Sequence, residues 1–380
     1  MANVRCVMMQ KNERRVLEAW IKYYGYMFSY ENLYIFDNGS TDQLVLEILA
    51  KYEKSGVKVF YDRFSAADFE NKGDIIKDLV DEWDKNGENY DFILPIDCDE
   101  FILFSSGAQI SVSRNVLHAY LDNLDVGNDV FIITHDYIND PKISGLFYPT
   151  VVPKSLFPKG NVGHIDHGFH HPRPKNPSGS VREADLGYIH FHNKPFSELL
   201  QHAKEKLKNF VDISDTDALR QYEGNGLHLT KYFFMSDMEY KSIYNDRAKI
   251  YICGIINLFI NISIDADFIF GGNVITNELP FNSNGYWIIW SSIKDNYFVN
   301  TAVFDYNYYL SNHEDLSNLK INPLAHFAEF GFKEGRFFNS ERSVKMVSKL
   351  FLFNTVQGEY LNMLCQPELM KKIIEETSTL

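Results

Sequence analysis

The sequence is poor in cysteine and has no long apolar run. Four cysteines in 380 residues are too few for a disulfide framework, and no two have the spacing of a metal-binding knuckle, so we expect a reducing cytoplasm. The N-terminus lacks the apolar core of a secretion signal. The longest apolar stretch, Ile250 to Ile264, is shorter than the ~20 residues that span a bilayer. It predicts a buried helix, with a membrane-surface element as the alternative.

Positive charge is scarce as well. The chain has 37 Lys and Arg against 51 Asp and Glu, which gives a formal net charge of −14. Nucleic-acid binding usually depends on clustered Lys and Arg, so we expect no nucleic-acid partner. An anionic substrate would need to be neutralised locally. The charged and aromatic fractions, 23% and 15%, are typical of a folded chain.

Apolar runs of strand length alternate with amphipathic helical stripes in the N-terminal third of the chain. The predicted strands are Val4 to Met9, Leu33 to Phe36, Val57 to Phe60, Phe92 to Ile96 and Val130 to Thr134. This alternation predicts an α/β fold with a mostly parallel sheet flanked by helices. Ligands of such folds lie beyond the carboxyl ends of the strands.

The composition divides the chain into three predicted segments. Residues 1–230 are expected to form the α/β domain, in which the stretch from Pro141 to Pro195, rich in Gly, Pro and His, is predicted to form loops. Residues 231–300 are predicted to be a helical and aromatic extension. Residues 301–380 are predicted to be a small helical C-terminal module with a tail.

An acidic motif follows the predicted strand that ends at Ile96. Asp97-Cys98-Asp99-Glu100-Phe101 places two carboxylates two residues apart, and alternation along a strand would direct Asp97 and Asp99 to one side. Hard carboxylate oxygens suit Mn²⁺ or Mg²⁺, and such a cation could hold a diphosphate on an acidic protein. The alternative is a solvated acidic turn.

Two further polar clusters follow predicted strands. Asn12 with Glu13 and Asp37 with Asn38 could hydrogen-bond a base and a ribose, or they could cap the helices that come next. Together with the acidic motif they favour a nucleotide crevice at the carboxyl edge of the sheet.

Histidine is concentrated in one part of the chain. Seven of the twelve histidines lie between residues 164 and 202, which favours a site over an even distribution. His190 and His192 alternate on a short predicted strand, so one of them could complete a metal shell, and Lys194 could contact the diphosphate. The alternative is that these imidazoles are partly buried and hydrogen-bonded.

The ordered motifs resemble a known family. K-N-E, E-A-W-I-K-Y-Y, Y-I-F-D-N-G-S-T-D and I-D-C-D-E-F, followed by G-H-I-D-H-G and Y-I-H-F-H-N-K-P-F, resemble the bacterial glycosyltransferase 2-like proteins, which are related to glycosyltransferase family 92. The resemblance spans residues 4–104 and continues to about residue 210. It implies a GT-A fold, a nucleotide-sugar donor and a metal at the Asp-x-Asp motif formed by Asp97 and Asp99.

The resemblance also implies roles for individual residues. Asn12, Glu13, Asp37 and Asn38 would hold the nucleoside. The glutamine usual before the acidic pair is replaced here around Asn71 and Lys72, and Lys72 is predicted to bind the donor. Related enzymes usually invert the anomeric carbon by direct displacement, and Asp166 is the candidate base, with Asp185 and Glu183 behind it.

A second resemblance lies near the C-terminus. The segment from Phe304 to Asn339 is similar to a small module often attached to bacterial surface-polysaccharide glycosyltransferases. We interpret it as a helical hairpin in which Gly331 and Gly335 end helices, and contact with a glycan or partner is the alternative.

The sequence therefore predicts a metal-dependent, inverting glycosyltransferase in polysaccharide biosynthesis. Its expected partners are a UDP-sugar donor and a glycan or glycoconjugate acceptor. Its expected location is the cytoplasm, with peripheral association at the inner face of the membrane as an option. The alternatives are a nucleotidyltransferase of the same fold and a non-catalytic glycan-binding or scaffold protein.

Overall fold

The fold is taken from a computed structural model. It describes residues 1–106, 109–141, 144–208, 210–224, 226–243, 249–271, 287–291, 296–300, 304–316, 323–331, 334–338 and 340. The predicted tail, residues 341–380, and Asn339 at the end of the second resemblance lie outside the described residues.

The strands form two large sheets and one hairpin. In chain order they are β1 (Val4–Gln10), β2 (Leu33–Asp37), β3 (Lys58–Phe60), β4 (Phe92–Pro95), β5 (Glu100–Ser106), β6 (Gln109–Ser111), β7 (Val130–Ile133), β8 (His135–Asn139), β9 (Leu146–Thr150), β10 (Lys154–Pro158), β11 (Val162–His164), β12 (Arg173–Pro174), β13 (Val181–Glu183), β14 (Leu186–His190), β15 (Lys249–Tyr251), β16 (Trp287–Ser291) and β17 (Asn296–Asn300).

The helices flank these sheets. They are α1 (Leu17–Phe28), α2 (Gln43–Glu53), α3 (Ala66–Glu70), α4 (Lys72–Lys85), α5 (Arg114–Asp122), α6 (Phe196–Leu207), α7 (Thr216–Gln221), α8 (Asp237–Ser242), α9 (Cys253–Asn261), α10 (Ala266–Phe270), α11 (Tyr306–Ser311) and α12 (Pro323–His326). Short 3₁₀ segments occur at Tyr30–Asn32, Leu227–Phe234 and Glu314–Leu316, and a π-helical turn at Phe327–Gly331. None of the helices in the described ranges is long and apolar enough to cross a bilayer.

The first sheet confirms the predicted fold class. Its strand order is β13-β7-β10-β4-β1-β2-β3. Strands β3, β2, β1 and β4 are mutually parallel, β10 runs antiparallel to both β4 and β7, and β13 is parallel to β7. The sheet is therefore mostly parallel with one reversed strand. The central strands β1, β2 and β4 are buried along their whole length, as expected for strands that are covered on both faces of the sheet.

The second sheet is mostly antiparallel, with the order β17-β16-β15-β9-β8-β14-β5-β6. Strand β14 lies between β5, to which it is antiparallel, and β8, to which it is parallel. Its register places His190 opposite Glu100. This pairing brings the histidine-rich segment to the acidic motif.

Two sequence predictions differ from the structure. The stretch 141–195 was expected to be loops apart from a short strand at His190 and His192, which corresponds to β14. It also contains β9 to β13, each two to five residues long, and strands this short show no readable periodicity. The apolar stretch Ile250 to Ile264 was expected to be one helix. It begins in β15 and becomes α9 after Ile252, because Ile250 pairs with Phe147 in the second sheet.

One apolar core joins the predicted segments. The rings of Tyr23 and Phe101 lie 5.2 Å apart, and Phe259 of α9 lies 5.5 Å from Phe101. Tyr309 and Phe327, from the C-terminal module, belong to the same buried cluster. Gly331 ends the π-helical turn there, and Gly335 has the positive φ of 72° that glycine adopts readily. The segment boundaries at residues 230 and 300 stay predictions.

Candidate functional site

The acidic motif forms a turn between the two large sheets. Strand β4 ends at Pro95 and β5 begins at Glu100, so residues 97–99 lie outside both strands. The Asp97 amide donates to the Glu100 carboxylate at 3.1 Å, and the Glu100 amide donates to the Asp97 carbonyl at 3.2 Å. Strand alternation therefore does not apply to Asp97 and Asp99, and their carboxylates have different neighbours.

Asp97 faces Lys72 and Lys154. We call these three residues the lysine side of the turn. Lys72 Nζ donates to Asp97 Oδ1 and Lys154 Nζ to Asp97 Oδ2, both at 2.6 Å. Lys154 also lies 3.0 Å from Glu100 Oε1 and donates to the carbonyl of Gly168 at 3.1 Å. The predicted donor-binding residues Lys72 and Asp97 are thus brought together.

The charges on the lysine side shift the pKa values of Asp97 and Lys154 away from their usual ranges. Burial alone would raise the pKa of Asp97, but the charges of Lys154 and Lys72 outweigh it and hold that pKa well below its usual range. Burial would lower the pKa of Lys154, whereas Glu100 and Asp97 raise it above its usual range. The side chain of Lys154 is 2% exposed, so its charge is compensated by these carboxylates and not by water.

Asp99 faces His190. We call Asp99, Glu100 and His190 the histidine side of the turn. His190 Nε2 lies 3.6 Å from Asp99 Oδ2 and 4.0 Å from Glu100 Oε1. One ligand atom from each of the three residues can be chosen so that all lie within 4.8 Å of one another. Two carboxylates and one imidazole are a donor set that suits Mn²⁺, and its carboxylates alone suit Mg²⁺.

A buried carboxylate supports His190 from behind. Asp136 is fully buried, and its Oδ1 lies 3.6 Å from His190 Nδ1. Its other oxygen accepts a hydrogen bond from the Thr150 hydroxyl at 2.5 Å. A carboxylate behind the second ring nitrogen is typical of metal-binding histidines, because it orients the ring and increases its basicity. The residues present therefore fit a divalent cation.

The charges on the histidine side also differ from ordinary values. Burial would raise the pKa of Asp99, but His190 and Lys194 outweigh it and hold that pKa well below its usual range. Burial would lower the pKa of His190, whereas Asp99 and Asp136 raise it well above its usual range. Burial raises the pKa of Glu100 to about 7 against the opposing charge of Lys154. A divalent cation would favour the deprotonated forms of all three groups.

The second predicted histidine lies next to the first. The ring centroids of His190 and His192 are 5.1 Å apart, and His192 is exposed. The group of metal-capable atoms in the described residues contains His190 and not His192. Lys194, two residues further on, donates to Glu13 Oε2 at 2.9 Å.

The polar residues after β1 and β2 are brought together as the parallel sheet requires. Gln10 Nε2 donates to Asp37 Oδ1 at 2.6 Å, and its Oε1 accepts from the Glu13 amide at 3.2 Å. Asn12 Oδ1 accepts from the amide of Thr41 at 2.8 Å. Asn38 Nδ2 donates to the carbonyls of Arg63 and Ser65, at 2.8 and 2.9 Å, and both of these residues lie in the loop after β3. Asn12 and Asn38 thus order the loops of this edge.

The candidate bases lie at different distances from the turn. Asp166 accepts hydrogen bonds from the amides of His171 at 2.7 Å and Gly168 at 3.3 Å, and Gly168 contacts Lys154. Asp185 is exposed and precedes β14, whose other end is His190, so five residues of extended chain put it about 17 Å away. Glu183 accepts from the hydroxyl of Thr134 on the same remote edge. Asp166 is the candidate placed next to the lysine side.

Sequence reasoning missed three residues of this site. Glu100 stands inside the acidic motif, but strand alternation directed attention to Asp99 and Asp97. Asp136 and Lys154 come from β8 and β10, and the only signal in the sequence was a charged residue within a short strand. Both are buried, and a buried charge in a strand indicates a partner charge nearby.

Comparisons with known proteins show similarity to solved structures. No family model matches the chain, and no curated protein matches it. The chain is similar to S. aureus TarS with a TM-score of 0.30 and 12% identity, over 66% of this chain and 58% of that one. It is similar to a cytidylyltransferase from Leptospira borgpetersenii with a TM-score of 0.23 and 14% identity, over 42% and 61%.

A third similar structure is the glucosyl-3-phosphoglycerate synthase from Mycobacterium tuberculosis, with a TM-score of 0.28 and 13% identity over 52% of this chain and 75% of that one. The chain spans less than two thirds of the first two structures.

Proposed function

We propose that this protein is a metal-dependent glycosyltransferase that moves a sugar from a nucleotide-diphosphate donor to a hydroxyl of a glycan or glycoconjugate, with inversion. The observation that supports this most is the histidine side, where Asp99, Glu100 and His190 converge within 4.8 Å with Asp136 behind His190. The group lies at the end of β4, beside the carboxyl edge of a mostly parallel sheet, where such folds bind nucleotides.

Asp99, Glu100 and His190 would hold Mn²⁺ or Mg²⁺. A bound cation supplies Lewis-acid stabilisation of the departing diphosphate. Lys194, whose ammonium group is held by Glu13 at 2.9 Å, would add a second positive charge to the same leaving group. Because the carboxylates of Glu13 and Asp99 raise the pKa of Lys194 despite its burial, the lysine is charged at neutral pH.

The lysine side would organise the site and not ligate the metal. Both oxygens of Asp97 are held by lysines, so Asp97 orients Lys72 and Lys154 in this proposal. Lys154 in turn contacts Glu100, which links the two sides of the turn. Asp97 is therefore a positioning residue here.

The nucleoside would bind at the ends of β1 to β3. Glu13 provides a carboxylate there, and the buried Asp37, which accepts from Gln10 Nε2 at 2.6 Å and from the Ser40 amide at 2.9 Å, orders the edge. The Asn38 side chain donates to the carbonyls of Arg63 and Ser65 and so fixes the loop that carries Phe64. The Phe64 side chain is 66% exposed and packs beside Gly39, where a Cβ would lie 3.1 Å from the phenylalanine Cβ. An aromatic face held at this edge is suited to stack on a nucleobase.

Asp166 would accept the proton of the acceptor hydroxyl. Burial would raise the pKa of Asp166, but hydrogen bonds from the amides of His171 and Gly168 outweigh it, so the pKa lies below its usual range and the group is a carboxylate at neutral pH. The carbonyl of Gly168, two residues after Asp166, accepts from Lys154 at 3.1 Å, and this proximity to the turn supports Asp166 as the base.

The test is a thermal-shift screen of nucleotides and nucleotide sugars with and without Mn²⁺, followed by transfer assays of the active pair. A ligand present at 100 times its dissociation constant should add about 2.7 kcal/mol to the free energy of unfolding. Metal-dependent stabilisation by a nucleotide sugar, with transfer that is lost in Asp99→Asn and kept in Asp185→Asn, would support the proposal. Release of pyrophosphate from a nucleoside triphosphate would identify a nucleotidyltransferase instead. Sugar binding that is insensitive to EDTA, without turnover, would identify a binding protein.

A further inference from the structure

A groove of about 760 Å³ lies between helix α4 and the β11–β12 hairpin, and we call it the α4 groove. On the helix, Lys77, Asp81 and Lys85 follow one another at intervals of four residues, so they project from one face. The hairpin contributes His164, Arg173 and Lys175 to the opposite wall. The groove is separate from the residues proposed to bind metal and nucleoside.

The charges in the α4 groove are unbalanced. Four cationic side chains, of Lys77, Lys85, Arg173 and Lys175, stand against two carboxylates. Both carboxylates already have partners, because Asp81 pairs with Lys77 and Asp84 accepts a hydrogen bond from the Tyr90 hydroxyl.

The remaining three cations, Lys85, Arg173 and Lys175, are exposed, and none forms an ion pair with a residue in the described ranges. On a chain with a net charge of −14, this is a local positive surface. It therefore has charge available for an anionic ligand.

The groove leads toward the acidic turn. Gly73 begins the same helix face four residues before Lys77, and a Cβ on it would lie 2.2 Å from the carbonyl oxygen of Ile165. Glycine therefore lets the segment that contains Asp166 lie directly on α4. Two residues later the Gly168 carbonyl accepts from Lys154. From Gly73 to Lys85 the helix rises about 18 Å, so a linear ligand along this face would end beside the candidate base.

We propose that the α4 groove binds an acidic segment of the acceptor glycan, a linear chain with phosphate or carboxylate groups, and directs it to the active site. The identification of the ligand as an acceptor rests on the proposed function. Arg173 can bind a phosphate or carboxylate with two parallel hydrogen bonds. The carboxylates of Asp81 and Asp84 would repel the dense charge of a nucleic acid, whereas the spaced charges of an acidic glycan can meet the three cations.

The test measures binding of three labelled probes by fluorescence anisotropy: an oligogalacturonate, a phosphate-bearing dextran and a neutral dextran. EDTA is present and no donor is added, so the proposed metal site plays no part. We expect the acidic probes to bind and the neutral one not to, with affinity that falls as salt increases. A preference between the two acidic probes distinguishes carboxylate from phosphate, and either result supports the proposal.

The variant Arg173→Glu/Lys175→Glu should weaken binding of the acidic probes by about tenfold or more, since two attractive contacts become repulsive. The matched control is Lys54→Glu/Lys58→Glu, which makes the same charge change on exposed residues near β3. Circular dichroism of both variants checks that they fold. Unchanged binding in the groove variant, an equal loss in the control, or tighter binding of single-stranded DNA than of either glycan would overturn the proposal.

A second arm separates this proposal from the proposed function. Asp99→Asn should bind the acidic probes with the affinity of the parent protein. In a transfer assay, the groove variant should raise KM for an acidic acceptor about tenfold with little change in kcat, and leave a neutral acceptor unaffected. Acidic-probe binding that depends on Arg173 and Lys175, in a protein that never transfers sugar, would refute the glycosyltransferase assignment while leaving the anion site in place.

Discussion

Two aspartates, two residues apart in one turn, have opposite surroundings. Asp97 on the lysine side has each oxygen 2.6 Å from an ammonium group, so its charge is already compensated. Asp99 on the histidine side faces Glu100 and His190, and ligand atoms of the three residues lie within 4.8 Å of one another, close enough to share a cation. The difference teaches that the spacing Asp-x-Asp does not by itself assign a shared role. In our proposal the lysine side stabilises the turn, and the histidine side holds the metal.

The largest effect on the free energy of unfolding is expected when Lys154 is replaced. Lys154→Met would leave the buried Glu100 without its partner and Asp97 with Lys72 alone, and loss of one member of a buried ion pair costs about 3–5 kcal/mol. We expect the free energy of unfolding, measured with urea, to fall by that amount with or without Mn²⁺. Lys54→Met, a change of the same kind on an exposed residue, is the control. A loss below 1 kcal/mol would mean that the lysine side does not support the fold.

On the histidine side, Asp99→Asn should leave stability near that of the parent. It should lower kcat/KM for the proposed sugar transfer by at least about 100-fold, because a proposed metal ligand is lost. Asp185→Asn, an exposed residue at the far end of β14, should keep full activity. Equal activity of the two variants would remove the distinction between the two sides.

Replacing Asp136, the carboxylate behind the His190 ring, should have a smaller effect than replacing Asp99. Asp136→Asn keeps the shape of the side chain but removes the charge that faces His190 Nδ1. We expect the affinity for Mn²⁺, measured by calorimetry, to fall about 10- to 100-fold. Thr150→Val, which removes only the hydrogen bond to the other Asp136 oxygen, should cost less. An Asp136→Asn variant with parental Mn²⁺ affinity would contradict the metal assignment of His190.

The smallest effect is expected for Phe64, which lies away from the turn. Phe64→Ala should raise KM for the nucleotide sugar by about tenfold, consistent with the ~1–3 kcal/mol that a stacked base contributes. Phe64→Tyr should retain the parental KM, and Tyr61→Ala, on the same loop, is the positional control. If Phe64→Ala leaves KM unchanged, the nucleobase does not stack there.

Much of the fold could be predicted because the first strands and helices are long enough to show periodicity. β1, β2 and β4 were predicted within about two residues, and the parallel arrangement placed Glu13, Asp37 and Asp97 at one edge of the sheet. The site was predicted in part. His190 and Asp99 were identified, and the structure places them 3.6 Å apart.

The rest depends on pairings that sequence order does not give. Lys154 reaches Asp97 because β10 inserts, reversed, between β4 and β7, and Asp136 reaches His190 because β8 pairs with β14. Both pairings join strands that are distant in sequence, and neither strand is long enough for a pattern. Glu100 was overlooked because a turn, and not a continued strand, follows Ile96.

The position of β14 also matters for the order in which the protein becomes functional during synthesis. The parallel strands β1 to β4 are complete once residue 95 has been made, but His190 arrives almost a hundred residues later and enters between β5 and β8. Contacts this distant in sequence form late and slowly. A nascent or truncated chain that stops before Leu186 would contain Asp99 and Glu100 without the strand that completes their site. The candidate metal site would therefore be assembled only when β14 has joined β5 and β8, well after the parallel strands β1 to β4 have been made.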